Sequence, residues 1–242
     1  LSIAQTTSTG EGGPSVVATG GDGAVNSSLT LENGLLDIED QSALDLGTNG
    51  FNRDVAEGDT SHVAGSVRID VSDDNSVAAY PVGSADGVYR PFGFIFPSGI
   101  SQDTEITVGH VTESPEETGG LPLTDDEDVR IGQNYPDYYW SVQTSQRLPI
   151  SSSYEAFAQT ENLNLSDNDA ADYRLIQRAE AGNVWNLVGN GTDYANETLD
   201  EALGRVDIAT VGATADLSQT GRRYTVGVPT QTTGFQIAGS VS

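Results

Sequence analysis

Residues 62–71 read HVAGSVRIDV, and this short stretch sets the class of the fold. Its last six residues alternate strictly between polar and apolar side chains, so Val67, Ile69 and Val71 fall on one side of an extended chain. Alternation with a period of two is typical of a β-strand with one buried face. The stretch therefore predicts a strand that packs one side against a core.

Similar runs recur on both sides of this stretch, separated by turns rich in Gly, Asp, Asn and Ser. They lie at residues 15–18, 28–31, 105–111, 138–142, 173–178, 184–188 and 223–228. Many short strands with frequent turns predict an all-β fold, specifically an antiparallel β-sandwich of the Ig-like or jelly-roll-like kind. Helical signals are confined to residues 197–203, which fit a loop equally well, and to one turn at residues 166–172.

The chain divides into four predicted segments. They are an N-terminal strand or tail (1–20), a strand-rich N-terminal layer (21–75), a β-sandwich (76–229) and a C-terminal strand or tail (230–242). Within the layer, residues 28–47 carry short apolar strands that fit either the rungs of a small β-solenoid or a meander. No sustained repeat is present, so a full solenoid is not expected. The layer and the sandwich can share one core.

The charge of the chain is extreme. It has 36 acidic residues against 10 basic ones, no lysine, no methionine, no cysteine and a formal net charge of −26. Such a surface repels itself in dilute buffer and is screened in concentrated salt, which favours a halophilic protein over an ordinary acidic secreted one. The same charge argues against nucleic acid and anionic membranes as partners. Without cysteine there are no disulfides, thiolate nucleophiles or cysteine metal sites.

The first residues bear on localisation. Residues 1–5 resemble the end of a secretory signal, and they also fit a first β-strand of a mature chain; both alternatives favour a secreted or cell-surface protein. No apolar run approaches the roughly 18 residues that span a bilayer, so direct membrane insertion is not expected.

Residues 80–92, YPVGSADGVYRPF, form the most specific motif in the chain. Pro81 is expected to end a strand, Gly83 to adopt a positive φ, and Arg90 to pair with a carboxylate in this acidic chain. The aromatic residues of the motif and of the run after it, Tyr80, Tyr89, Phe92, Phe94 and Phe96, are expected to form one core layer.

This motif resembles an "FPVG…YRP" phrase found in large surface and adhesin-like proteins of Bacteroidota-type bacteria, many of them exported by the type IX route. The resemblance extends over residues 60–228. It implies a β-sandwich module of a cell-surface protein and carries no catalytic residues. The chain departs from that family in its small size and in lacking the expected C-terminal sorting domain.

Acidic clusters raise the question of calcium. The residues Asp70, Asp73, Asp74 and Asn75 form one cluster, residues 125–128 a second, and Asp167, Asp169 and Asp172 a third. Calcium takes six to eight oxygen ligands, and the third cluster is the best candidate site, although none has the EF-hand pattern. The alternative is a solvated acidic loop. No other cofactor is predicted.

No catalytic pattern emerges, and the chain is not expected to be an enzyme. It has no Gly-x-Ser-x-Gly elbow and no glycine-rich phosphate loop. His62 and His110 lie in strand-like runs, so they are expected to be strand residues and not metal ligands. Four neighbouring aromatic residues fit either core packing or a sugar-stacking platform: Tyr135, Tyr138, Tyr139 and Trp140.

The two ends of the chain suggest how it functions. Residues 1–20 contain one acid, Glu11, and residues 230–242 contain no charge at all. The predicted assembly residues are Val16, Val17, Phe235, Ile237 and Val241. Such strands can add to the open edge of another copy and build a homopolymer, a filament or layer at the cell surface. The alternatives are that the ends pair within their own chain, or that the chain is an adhesin module that binds carbohydrate or another surface.

Overall fold

The computed structural model describes residues 4–6, 15–18, 23–24, 29–31, 35–38, 43–47, 51–53, 61–72, 77–100, 102–116, 118–125, 127–148, 154–160, 172–189, 206–213, 217 and 220–230. These residues form β-strands and no α-helix, so the all-β prediction is confirmed. None of them belongs to a helix long and apolar enough to cross a membrane. The possible helix at 197–203 lies outside the described residues, as does the turn at 166–172 apart from Asp172.

The strands follow one another along the whole chain. They are β1 (Ala4–Thr6), β2 (Ser15–Ala18), β3 (Gly23–Ala24), β4 (Leu29–Leu31), β5 (Leu35–Ile38), β6 (Ala43–Asp45), β7 (Phe51–Arg53), β8 (His62–Ala64), β9 (Ser66–Val71), β10 (Val77–Tyr80), β11 (Val82–Gly83), β12 (Phe92–Ile95), β13 (Thr104–Val111), β14 (Leu123–Thr124), β15 (Arg130–Asn134), β16 (Tyr139–Thr144), β17 (Tyr154–Thr160), β18 (Arg174–Ala179), β19 (Asn186–Leu187), β20 (Val206–Ala213) and β21 (Arg222–Pro229).

The strands from β2 to β9 form a parallel stack, in which each strand pairs with its counterpart from the preceding turn of the chain. One ladder joins β2, β5 and β8 and continues to β11, a second joins β3, β6 and β9, and a third joins β4 and β7. In the first ladder Val16 lies opposite Leu36, which lies opposite Val63. This is the strand arrangement of a short β-solenoid. The structure therefore supports the alternative of solenoid rungs over a meander, whose neighbouring strands would be antiparallel.

Strand β9 connects the parallel stack to the rest of the molecule. On one side it pairs in parallel with β6, and on the other it pairs antiparallel with β13, where Ile69 lies opposite Ile106. The ten-stranded sheet thus runs in the order β14-β15-β21-β16-β13-β9-β6-β3, and its other two strands branch from this path, with β18 paired to β21 and β19 paired to β18. One hydrophobic cluster extends from Leu36 in the stack to Val226 in β21. The core therefore crosses the predicted division between residues 75 and 76.

A second, four-stranded sheet has the order β10-β12-β17-β20, and all its pairs are antiparallel. Its aromatic side chains meet those of the ten-stranded sheet. The ring of Phe92 lies 5.4 Å from that of Trp140 and 5.0 Å from that of Tyr224. The predicted aromatic core layer is confirmed for Tyr80, Phe92, Phe94 and Phe96, while Tyr89 is only partly buried.

A smaller hydrophobic cluster lies apart from the main core. Its buried members are Ile131, Ile176 and Trp185, packed against partly buried residues that include Leu121 and Val129. Ile176 follows Leu175 in β18, and Leu175 belongs to the main core. Since successive residues of a strand point to opposite faces, the smaller cluster covers the other side of the sheet at β18.

Candidate functional site

The YPVGSADGVYRPF motif folds into a tight hairpin, here called the 82–90 hairpin. The amide of Arg90 donates to the carbonyl of Val82 at 3.0 Å, and the amide of Ser84 donates to the carbonyl of Val88 at 2.9 Å. The Ser84 Oγ accepts a further bond from the Val88 amide at 3.2 Å. Gly87 at the tip has a φ of 90°, which favours glycine. Backbone bonds within the motif thus close the hairpin, and its base is also joined to β8, where the Val63 amide donates to the carbonyl of Pro81 at 2.8 Å.

Gly83 has a different role from the expected one. Its φ is not positive, and instead a Cβ at this position would collide with the carbonyl oxygen of Val88 and with the ring of His62. The His62 Nε2 donates to the carbonyl of Ser84 at 2.8 Å, and the His62 side chain is buried. Glycine is thus required because strand β8 and the hairpin approach each other closely here.

Arg90, at the end of the hairpin, is buried with 8% of its surface exposed. Its NH1 donates to His110 Nε2 at 3.2 Å, and its guanidinium carbon lies 3.9 Å from the centre of the Tyr138 ring. No carboxylate among the described residues lies within ion-pair distance of it. The expected carboxylate pair is therefore not found there, and an aromatic face and an imidazole take its place.

The hydrogen bond with Arg90 defines the state of His110. An arginine nitrogen only donates, so the His110 Nε2 must accept, and the ring is neutral with its proton on Nδ1. Burial, the Arg90 charge and the neighbouring His62 together lower the pKa of His110 to about 3. Because its lone pair is engaged by Arg90, His110 has no free basic nitrogen for proton abstraction. Both histidines lie in strands, as predicted.

The backbone of Arg90 is fixed from the opposite sheet. Trp140 Nε1 donates to the carbonyl oxygen of Arg90 at 2.8 Å, and both groups are buried. The indole thus holds the carbonyl of Arg90 at the point where the hairpin leads into β12. The next residue there is Pro91, which has no amide hydrogen. The hairpin, β13 and β16 therefore meet at this arginine.

The four aromatic residues that fit either core packing or a sugar-stacking platform lie mostly in the interior. Tyr138, Tyr139 and Trp140 are buried, and Tyr135 is half-buried with its ring 4.9 Å from that of Tyr138. Tyr139 faces away from Trp140 and lies under the guanidinium of Arg223 at 4.5 Å. The structure therefore shows core packing for these residues, not a sugar-stacking platform.

Asp125, from the acidic cluster at residues 125–128, forms a buried ion pair. Arg174 Nε donates to Asp125 Oδ2 at 2.5 Å, and neither side chain is exposed. The other carboxylate oxygen, Oδ1, accepts from the amides of Glu127 at 3.0 Å and Val129 at 2.8 Å. Glu127 adds a second, half-exposed carboxylate 3.1 Å from Arg174 NH2. The charge of Asp125 is thus engaged by an arginine that is far away in the sequence.

The predicted calcium residues are only partly described. Asp172 is half-buried next to β18, whereas Asp167 and Asp169 lie outside the described residues, as do Asp73, Asp74 and Asn75. Across the described ranges, no three acidic or histidine side chains are grouped closely enough to hold a metal ion.

The predicted assembly residues divide in the same way. Val16 and Val17 lie in β2, whose backbone pairs with β1 on one side and with β5 on the other. Phe235, Ile237 and Val241 lie outside the described residues. One feature was missed at the sequence level: β20, with eight residues, forms an outer edge of the four-stranded sheet. Its sequence, VDIATVGA, is an eight-residue run with a single charge, and that signal could have predicted a long strand here.

Two structural features thus stand out as candidate sites, namely the Arg90–His110 pair beneath the 82–90 hairpin and the edge of β20. The first is a buried polar cluster, and the second is a row of backbone donors and acceptors. Comparison of the chain with protein-family models, curated proteins and solved structures gave no match.

Proposed function

We propose that this chain is a secreted, non-enzymatic structural protein whose copies associate through β-strand contacts into an extracellular filament or layer. The observation that carries the proposal is the edge strand β20. It pairs with β17 on its inner side, from Tyr154 opposite Ala213 to Thr160 opposite Val206. No described strand pairs with its outer side.

An open edge of this length attracts another strand. Natural proteins protect such edges with lysines, prolines, bulges or very short strands, because unpaired N–H and C=O groups template further pairing. This chain has no lysine, and β20 has neither proline nor a charge after Asp207. Its register with β17 is shifted between Tyr154 and Ala156 but is regular from Ala156 opposite Thr210 to Thr160 opposite Val206, so the open stretch is residues 206–210. Each added backbone hydrogen bond contributes about 1 kcal/mol net, so one strand of several residues makes a stable contact.

The uncharged ends of the chain are the matching partner segments. In a protein with a net charge of −26, most surface segments of a second copy are repelled. Residues 230–242 have no charge, and Phe235, Ile237 and Val241 fall on one side of an extended chain. The segment therefore combines low repulsion with one apolar face. Concentrated salt screens the remaining surface, which fits assembly in a saline environment.

Two further points belong to the same proposal. The ring contacts of Phe92 with Trp140 and Tyr224 support a β-sandwich formed by the two sheets. The resemblance of residues 60–228 to modules of exported bacterial surface proteins supports a location outside the cell. Because Tyr138, Tyr139 and Trp140 are buried, no specific observation favours carbohydrate binding over assembly.

The decisive experiment is negative-stain electron microscopy with size-exclusion chromatography at about 0.1 to 3 M NaCl, a range over which the Debye length falls from about 10 Å to below 3 Å. The full chain is expected to form filaments or sheets, and a variant ending at Pro229 is expected to be monomeric. A full chain that stays monomeric at every salt concentration would overturn the proposal.

A matched pair of substitutions tests the face of the segment. Phe235→Asp places a charge on the apolar side and is expected to abolish assembly. Gln236→Asp adds the same charge on the opposite side and is expected to leave assembly largely intact. Equal effects would show that only the added charge matters, which contradicts pairing through an apolar face.

A further inference from the structure

The buried Arg90–His110 pair contains two hydrogen-bond donors with no acceptor. Arg90 Nε and His110 Nδ1 are both buried, and neither has a hydrogen-bond partner among the described residues. Arginine nitrogens only donate, and the His110 Nδ1 carries the proton because Nε2 accepts from Arg90. Leaving a buried donor unpaired is unfavourable, and more so when the group is charged. The missing group is therefore an acceptor.

Two other arginines are buried in the described part of the chain, and both have oxygen acceptors around their guanidinium groups. Arg174 is neutralised by Asp125 and Glu127. Arg178 is surrounded by backbone carbonyls, with its NH2 donating to Pro115 O at 2.9 Å and its NH1 to Glu180 O at 3.2 Å. Arg90 has only a neutral imidazole nitrogen and the Tyr138 ring. Its positive charge is thus the least compensated of the three.

The groups around Arg90 do not supply a counter-charge. His110 of β13 faces it, with His62 of β8 next to His110, and Tyr135 and Tyr138 face it from the segment before β16. Asp137 adjoins Tyr138, but it is exposed and forms no ion pair with Arg90. A buried charge without a partner is unfavourable. A mobile anion bound there would supply the counter-charge that the chain lacks.

We propose that the Arg90 guanidinium, beneath the 82–90 hairpin, binds a small inorganic anion, namely chloride. The unpaired donor of Arg90 is a single N–H group, Nε–H, and a monatomic ion can accept its hydrogen bond. It needs donors and a positive charge but no fixed orientation, and Arg90 supplies both. Arg90 lies close to the surface, since 8% of the residue is exposed although its Nε is buried. Occupancy fastens the hairpin to β13 and makes the stability of the fold depend on the kind of anion, not only on ionic strength.

The test follows the arginine side chains by NMR. A ¹⁵N-labelled full chain, kept monomeric by dilution, is titrated with NaCl replacing sodium gluconate at constant sodium concentration. The Arg90 Nε–H resonance is expected to shift and to saturate. The Nε–H of Arg174 is the internal control, because it already donates a hydrogen bond to Asp125. Its resonance is expected not to shift.

Three results would overturn the proposal. They are an Arg90 resonance that ignores chloride, one that moves linearly in step with Arg174, and one that exchanges magnetisation with an ordered water without responding to the anion. A second measurement is independent of the resonance assignment. The melting midpoint of the wild type is expected to rise with the logarithm of chloride concentration at constant sodium, and Arg90→Gln is expected to remove this dependence. If that variant does not fold, the wild-type titration still decides the question.

Discussion

Trp140 donates its indole hydrogen to the carbonyl oxygen of Arg90 at 2.8 Å, although the two residues are 50 positions apart in the sequence. The bond joins β16, in the ten-stranded sheet, to the point where the 82–90 hairpin enters the four-stranded sheet. Trp140→Phe removes the donor, leaves a buried carbonyl unpaired and opens a small void. We expect a loss of about 2–3 kcal/mol in the free energy of unfolding, measured by urea titration. Tyr154→Phe, which removes the longer 3.3 Å bond to the Tyr224 hydroxyl, is the control and is expected to cost less.

Gly83 and Gly87 separate steric crowding from backbone strain. Gly83→Ala places a methyl group against the Val88 carbonyl and the His62 ring, and it is expected to cost about 1–3 kcal/mol through overpacking. At Gly87 the added methyl meets nothing within 4 Å, so the loss of stability in Gly87→Ala comes only from backbone strain at its φ of 90°. Urea unfolding of both variants measures the difference. A larger loss at Gly87 would contradict the close approach of β8 and the hairpin.

The Asp125–Arg174 pair is expected to be a strong determinant of stability. Asp125→Asn leaves the Arg174 charge buried beside a neutral amide, and such a break costs about 3–5 kcal/mol. Glu127→Gln is the matched control, because Glu127 is 49% exposed and solvent screens its contribution to below about 1 kcal/mol. Equal losses in the two variants, measured by urea unfolding, would show that Asp125 is not the main counter-charge.

Acid is expected to weaken the fold through His110. Its pKa is lowered from 6.5 to about 3 by burial first, so the unfolded chain takes up a proton at a higher pH than the folded one. The contribution is therefore complete above pH 6.5 and is lost as pH falls toward 3, at about 1.4 kcal/mol per unit. We expect unfolding free energies at pH 7, 6, 5 and 4 to show a steeper decline in the wild type than in His110→Gln. Parallel curves would contradict a neutral buried His110.

Salt is expected to stabilise the fold by screening as well. With a formal net charge of −26, self-repulsion is strong at a Debye length of about 10 Å and weak at about 3 Å. The melting midpoint is expected to rise between about 0.1 and 1 M sodium salt, the range in which that screening develops, with gluconate as well as with chloride. A midpoint that stays constant in gluconate would show that net repulsion is not a significant cost.

The sequence predicted the strands better than their arrangement. The alternation in residues 66–71 is reproduced by β9, whose buried positions are Val67, Ile69 and Val71. The parallel stack was only partly foreseen, because its rungs are short and the spacing from Val16 to Leu36 differs from that between Leu36 and Val63. An unequal period hides a repeat that the backbone ladders make plain.

The polar interior was harder to foresee. Carboxylates are so frequent in this chain that a carboxylate partner for Arg90 was the reasonable expectation, yet strand order brings His110 and Tyr138 to it instead. Asp125 looked like one member of a solvated acidic cluster, and only the position of β18 shows that Arg174 reaches it. Pairings between residues far apart depend on sheet order, which local patterns do not encode.

Strand β9 couples the parallel stack to the antiparallel part of the ten-stranded sheet. One edge of β9 bonds to the parallel stack, where Leu46 N donates to Arg68 O at 2.9 Å. The other edge pairs with β13, where Arg68 lies opposite Thr107. Losing either neighbour exposes one full side of the strand to water. We therefore expect the stack and the antiparallel sheet to open together as a single cooperative unit, so that a defect introduced in one raises the amide-exchange rates of the other.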